Sequence, residues 1–217
     1  METRPLTESL EVRRLGRVPY ADALALQEEL RERLASGEGS ETVLLLEHPD
    51  VITFGRGAAD SNARASDSEL RQRGYDVFRV GRGGDVTWHG PGQLVGYPIL
   101  DLRRHGSDVH RYLRDLEAVL IAALADFGIE AQRREGFAGV WLDARRKIAS
   151  IGVGVRAWRT LHGFALNVDC DLTRFAAIVP CGLAGVEMVS MASVLGRAPE
   201  LAAVTACVED QLRKVFG

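Results

Sequence analysis

An α/β (α+β) fold, a mixed sheet flanked by helices, is what this sequence predicts, and three observations carry the prediction. Short apolar runs of strand length recur along the chain, bounded by turn residues. Two segments, residues 107–127 and 200–216, follow the i, i+3, i+4 spacing of amphipathic helices. No internal repeat, low-complexity linker or charge block divides the chain, so residues 11–217 are expected to form one domain behind a loose lead-in of residues 1–10.

In chain order, residues 11–15 read as a short strand. Residues 20–35 read as a helix, with Ala21, Leu24, Leu30 and Leu34 near helical spacing and Gly37 and Gly39 ending it. Residues 42–46 and 51–54 form continuous apolar runs, interrupted by the turn Glu47-His48-Pro49-Asp50, and read as buried strands. A short helix over 66–73 stops at Gly74, and a strand over 75–80 runs straight into glycine. The strongest helix, 107–127, places Tyr112, Leu113, Leu116, Leu120, Leu124 and Phe127 on one stripe, with Gly128 as its C-terminal cap. Three strands follow, over 140–142, 148–155 and 161–168, before the closing helix.

Composition narrows the function. A formal charge of −3, from 27 Lys+Arg against 30 Asp+Glu, lacks the basic excess of a nucleic-acid binder. No run reaches the ~18 apolar residues of a membrane span, and residues 1–10 lack a signal peptide's apolar stretch. Three cysteines make no disulfide framework, so a cytoplasmic, reducing location is expected. Of the 27 basic residues, 25 are arginine; the lysines are Lys147 and Lys214.

The densest feature is Arg79-Val80-Gly81-Arg82-Gly83-Gly84-Asp85-Val86-Thr87-Trp88-His89-Gly90-Pro91-Gly92-Gln93-Leu94. Its glycines let a backbone approach a ligand closely, and Arg82 adds a fixed cation. It is neither a dinucleotide fingerprint nor a GKS-type phosphate loop, and a pair of hairpin turns is the plain alternative. His89 in that loop reads as a general base, a hydrogen-bonding anchor or an imidazole fastening two turns; His162 has the same ambiguity. His48 reads as structural, His105 and His110 as solvated. No histidine pair has i, i+4 metal spacing and no Cys-x-x-Cys occurs, so no metal is expected. Cys207 falls on an apolar helix stripe. Cys170 lies between Asp169 and Asp171, which disfavour a thiolate. Cys181, between Pro180 and Gly182, suits a thiol presented on a loop, and Lys147 is the candidate cation to lower its pKa. The plain reading of Lys147 is the solvated end of an Arg145-Arg146-Lys147 run.

Arg82-Gly83-Gly84-x-Val86-Thr87-x-His89-Gly90-Pro91-Gly92-Gln93, then Leu94-Val95-Gly96-Tyr97-Pro98-Ile99, resembles the signature of lipoyl(octanoyl) transferases. The resemblance continues in Lys147-Ile148-Ala149-Ser150-Ile151-Gly152-Val153, His162-Gly163-Phe164-Ala165-Leu166-Asn167-Val168 and Pro180-Cys181-Gly182, covering roughly residues 42–196. Asp85 and Trp88 depart from the family's frequent glutamine and tyrosine at those positions.

The resemblance implies a biotin/lipoyl protein ligase-like catalytic domain over residues 11–217. It implies an acyltransferase of lipoate biosynthesis that moves octanoyl from acyl carrier protein to a lysine of lipoyl domains. Those acceptors belong to 2-oxo-acid dehydrogenase complexes and to the glycine-cleavage H protein. By the same resemblance Cys181 is the thioester nucleophile and Lys147 its pKa-lowering partner. Arg82, Gly83, Gly84, Asp85, Val86, Thr87, Trp88, His89, Ser150, Ile151, Gly152, Gly163, Phe164 and Ala165 line the acyl site. A thioester donor is already activated, so no cofactor is expected. Carrier proteins are acidic, which makes Arg13, Arg14, Arg133, Arg134 and Arg156 candidates for a docking patch. The alternatives are an ATP-dependent lipoate- or biotin-protein ligase, which needs no cysteine, and a non-catalytic module that binds carrier or lipoyl domains.

Overall fold

The structure, a computed structural model, describes residues 10–179 and 185–217. Two sheets organise it. The larger runs in the order β1 (Glu11–Arg17), β2 (Thr42–Glu47), β6 (Gln93–Ile99), β10 (Arg159–Asn167), β9 (Arg146–Arg156), β8 (Phe137–Trp141) and β7 (Gln132–Arg134), with β11 (Glu187–Met188) joining β9. Its β1–β2 and β9–β11 pairs are parallel and the rest antiparallel, so the sheet is mixed, as expected. The smaller sheet is β4 (Asp76–Arg79), β3 (Val51–Phe54) and β5 (Val86–His89).

Helix α1 (Tyr20–Ser36) covers one face of the large sheet, burying Ala23, Leu30 and Leu34 with Leu44, Val95 and Tyr97. It ends where Gly37 turns left-handed at φ 78° and returns its amide to Arg33 O. The opposite face carries α3 (Val109–Asp126) and α5 (Leu201–Phe216), whose stripes interlock around Leu116, Leu120, Leu124, Val204, Val208 and Leu212. Asp108 caps α3 by accepting from the amides of His110 and Arg111. Helix α2 (Asp67–Gln72) starts from a capping box in which Ser66 and Glu69 satisfy each other's amides. Among the described residues no helix is long and apolar enough to cross a membrane.

The differences from expectation are local. Residues 86–89 form a strand, β5, rather than part of a loop. Strand β6 was not anticipated, because Gly96 and Pro98 interrupt its apolar run; it is nonetheless wholly buried between β2 and β10. The short α4 (Met191–Leu195), β7 and β11 are equally invisible to periodicity. His105 is not solvated: its Nε2 meets Glu41 Oε2 at 3.0 Å. Cys207 is half-buried, its thiol donating to Asp126 Oδ2 at 3.2 Å.

Burial sets a pH dependence of stability. His48 is pushed down to about 4 and His162 to about 4, both chiefly by burial, and His89 to about 3 by burial with the charges of His48 and Arg82 adding. In the unfolded chain each protonates near pH ~6.5. Between that pH and the folded values the unfolded state binds more protons, so stability is present above pH ~6.5 and lost as pH falls. Each histidine contributes a slope of about 1.4 kcal/mol per pH unit in that window. Urea unfolding at pH 7.5, 6 and 5 is expected to show a progressive loss. Equal midpoints would mean these rings titrate normally.

Candidate active site

A cleft of about 210 Å3 opens between the loop leading into β5 and the central part of β9 and β10, with the start of β8 as a third wall. Of the residues expected at an acyl site, Arg82, Gly84, Asp85, Val86, Thr87, His89, Ser150, Ile151, Gly152, Gly163, Phe164 and Ala165 line it, and so does Lys147, the expected partner of Cys181. Cys181 lies, with the rest of residues 180–184, outside the described residues. Gly83 stands just behind the wall, its amide bound to Val153 O at 2.8 Å.

Trp88 corrects the expectation. Successive side chains of a strand point to opposite faces. Thr87 and His89 face the cleft, whereas Trp88 is packed into the small core, edge-on to Phe175 with ring centroids 5.0 Å apart, and its Nε1 donates to Asp50 Oδ1 at 2.9 Å. Conversely, Gly136, Phe137 and Ala138 line the cleft and were missed. Their one sequence signal is the pair of glycines, Gly136 and Gly139, around an aromatic residue ahead of Trp141.

The glycine spacing of β9 serves the loop. A Cβ on Gly152 would fall 2.9 Å from Gly83 O, and one on Gly154 3.1 Å from Gly81 O, so the small residues admit a second backbone. Arg82 then reaches across, Nη2 donating to Thr53 O at 2.6 Å and Nη1 to Gly83 O at 3.0 Å. A buried guanidinium satisfied this way is a fixed positive charge in the cleft wall.

The two histidine-bearing motifs meet through hydrogen bonds. His89 Nδ1 donates to Gln93 Oε1 at 2.8 Å, Gln93 Nε2 to Asn167 Oδ1 at 2.8 Å, and Asn167 Nδ2 to Val189 O at 2.9 Å. The Val189 amide in turn donates to Lys147 O at 3.0 Å. With its pKa near 3, His89 stays neutral and makes a poor base, so its role here is that of an anchor. His48 is likewise structural, bridging Val18 O and the Tyr97 hydroxyl, each at 2.7 Å.

Lys147 is buried, 3% exposed, which excludes the solvated end of a basic run. It sits in β9 between Trp141 of β8 and Met188 of β11, its Nζ 5.0 Å from the centroid of the Trp141 ring. Behind it lies Gly139 at φ 124°, where a Cβ would come within 2.6 Å of both Ala149 O and Lys147 Cε. The Gly139 amide donates to Glu117 Oε1 at 3.2 Å, and Glu117 is held by Arg114 at 2.7 Å and Arg133 at 3.2 Å. A buried carboxylate with two cationic partners thus fixes the stretch of β8 against which the lysine packs. Gly139→Ala is expected to lower kcat at least about tenfold and to cost about 1–3 kcal/mol of stability, since it forces both backbone strain and displacement of Lys147. Steady-state kinetics with urea unfolding measure the two effects; unchanged kcat would show that the lysine's position is immaterial.

The other thiols are unsuited to attack. Cys170 is buried and raised to about 12, by burial first and then by Asp169 and Asp171. Cys207 is raised to about 11, by burial and by Asp126. Among the described residues no group of three or more His, Cys, Asp or Glu could hold a metal ion.

The described residues on either side of 180–184 are bound to this site's surroundings. Before that stretch, the Val179 amide donates to Asn62 O at 2.7 Å, and Asn62 Nδ2 donates to the cleft residue Asp85 at 2.6 Å. After it, β11 pairs with Arg146 and Lys147.

Residues 19–213 match the family model of the lipoyl protein ligase A/B catalytic domain. An octanoyltransferase of Geobacter metallireducens is 50% identical over 186 residues, 86% of this chain and 84% of that protein. One of Rubrobacter xylanophilus is 49% identical over 220 residues, 100% of this chain and 98% of that protein. Among solved structures, a bipartite lipoate protein ligase of Thermoplasma acidophilum has a TM-score of 0.74 at 15% identity, covering 96% of this chain and 84% of its own. A biotin protein ligase of Aquifex aeolicus has a TM-score of 0.54 at 13% identity, covering 97% and 69%. At such identities the two ligases share the fold alone.

Proposed function

Because this chain belongs to the octanoyltransferases, acyltransferases within the lipoyl protein ligase A/B catalytic-domain family, we propose that residues 11–217 form one catalytic unit that takes octanoyl from acyl carrier protein onto Cys181 and delivers it to a lysine of a lipoyl domain. The observation that carries the reading is Lys147: a buried amine in the wall of a cleft lined by the residues of the family's motifs.

In the first step the Cys181 thiolate attacks the donor's thioester carbonyl. The donor sulfur leaves and takes a proton from the Lys147 ammonium, which becomes a neutral amine. One thioester replaces another, so the step is close to balanced. In the second step the neutral amine of the acceptor lysine attacks the acyl-enzyme, its proton passes to Lys147, and the Cys181 thiolate departs. The thiolate–ammonium pair is restored and no ATP is consumed. Ile151, Phe137 and Phe164 supply apolar surface to the cleft. Burying the six methylenes of the chain contributes roughly 5 kcal/mol.

The acceptors expected are the lipoyl domains of 2-oxo-acid dehydrogenase complexes and the glycine-cleavage H protein, with the reaction in the cytoplasm. Incubation with octanoyl-acyl carrier protein, without ATP, is expected to give an octanoyl adduct on Cys181 by peptide mass spectrometry, discharged by added lipoyl domain. Transfer that requires ATP and free acid would instead make the protein a ligase. Absence of any transfer by folded protein would make it a binding module.

A further inference from the structure

A hydrogen-bond relay sets the tautomer of His89. Val189 O can only accept, so the Asn167 atom that meets it at 2.9 Å is the amide nitrogen, and this turns Asn167 Oδ1 toward Gln93. Gln93 then donates through Nε2, to Asn167 Oδ1 at 2.8 Å and to a second main-chain acceptor, Trp88 O, at 3.4 Å. Its oxygen is what remains for His89 Nδ1 at 2.8 Å. The hydrogen of the neutral ring therefore sits on Nδ1, and Nε2 is left as a bare lone pair. Two backbone carbonyls thereby choose the tautomer.

The ring is held on its other sides. Tyr20 stacks on it with centroids 6.4 Å apart and His48 meets it edge-on at 6.0 Å, and a ring flip would forfeit the Gln93 bond. Nε2 has no hydrogen-bond partner among the described residues. It is not walled off like the unpartnered nitrogens of Gln27, Trp141 and His162, so this edge opens to the cleft that His89 lines. Lys147 lines the same cleft, and the relay ends on it, because the Val189 amide donates to Lys147 O at 3.0 Å.

A bare imidazole nitrogen requires a hydrogen. The octanoyl tail has none to give, and a carbonyl or oxyanion oxygen presents lone pairs that Nε2 repels. The acceptor lysine differs. A neutral primary amine has one lone pair and two hydrogens; attack directs the lone pair at the acyl carbon, and Lys147 takes one hydrogen as a proton. We propose that His89 Nε2 holds the second hydrogen, which makes His89 the residue that orients the acceptor amine in the cleft. The C–N bond forms as the C–S bond breaks, one proton passes to Lys147, and the hydrogen held by His89 stays on the product amide nitrogen. That nitrogen is cationic in between, so the hydrogen bond is stronger in the transition state than before it. In acylation the reacting atoms are carbon, sulfur and oxygen, and none carries an N–H. The inference rests on the acyl-transfer reading for the identity of the acceptor.

His89→Asn separates this role from anchoring, since the shorter amide can still donate to Gln93 Oε1 but ends short of the Nε2 position. In single-turnover assays, discharge of octanoyl-Cys181 to the lipoyl domain is expected to fall about ten- to a hundredfold more than acylation does. His89→Gln, whose amide oxygen reaches the Nε2 position, is expected to recover part of that difference. Nitrogen NMR of the histidine-labelled wild type, with His89 assigned by its loss from the variant's spectrum, needs no turnover and is expected to show the hydrogen on Nδ1. A hydrogen on Nε2, or equal losses in the two steps, overturns the proposal. So does a loss confined to acylation, which would assign Nε2 to an amide of the donor's arm. A wild type that forms no octanoyl-enzyme yet shows the Nδ1 tautomer would refute the acyl-transfer reading, and the amine's place with it, while the relay stands.

Discussion

Cys181→Ala is expected to lower kcat/KM for octanoyl transfer by on the order of ten-thousand-fold or more, the scale on which loss of a covalent nucleophile falls. No described thiol can substitute. Cys170 is buried with its pKa pushed to about 12, and Cys207 lies on α5 against Asp126, remote from the cleft lining. Without a thiolate, the acceptor amine must attack the carrier thioester directly. That would demand that two bulky partners meet at one cleft, whereas the acyl-enzyme lets them visit in turn. Transfer assays combined with intact-mass measurement decide the matter. Octanoyl product formed at a wild-type rate by the alanine variant, with no adduct, would refute the two-step mechanism.

Lys147→Arg is expected to separate the two steps. Guanidinium stays protonated near neutral pH, so it can favour a neighbouring thiolate but cannot accept the acceptor's proton. Acylation of Cys181 then partly survives, while transfer to the lipoyl domain falls by roughly a hundred- to ten-thousand-fold, the usual worth of a general base. The octanoyl-enzyme should accumulate. The larger guanidinium must fit against Trp141 and Gly139 of β8, so Lys147→Met is the companion variant. It preserves bulk without charge, and neither the adduct nor the product should form. Near-wild-type turnover by the arginine variant would remove Lys147 from proton transfer.

Much of this was legible in the residues. The stripes of α3 and α5 and the apolar runs of β2, β3, β9 and β10 announce their own periodicity, because a half-buried helix or a buried strand must repeat its apolar positions. Twelve of the fourteen residues expected at the acyl site, and Lys147 with them, do line one cleft. The exceptions are instructive. Trp88 sits in a motif beside His89, yet the pleat of β5 turns it to the other side. Phe137 and Ala138 belong to no recognisable motif and reach the cleft only because β8 pairs with β9. Strand β6 was hidden by Gly96 and Pro98, residues that disfavour a strand locally and are overruled by pairing on both edges.

The sequence by itself determined the fold class, the family resemblance and the chemical candidates, including the singular Lys147 in a chain that otherwise writes arginine. Those properties depend on residue type and short-range spacing, which one chain carries in full. Only the tertiary structure decided that Lys147 is buried against Trp141 and a stretch of β8 held by Glu117, and that His89 is hydrogen-bonded to Gln93 and kept neutral by burial. Burial, field and unpaired hydrogen-bonding groups arise between residues far apart in sequence, and strand pairing across the sheet sets them.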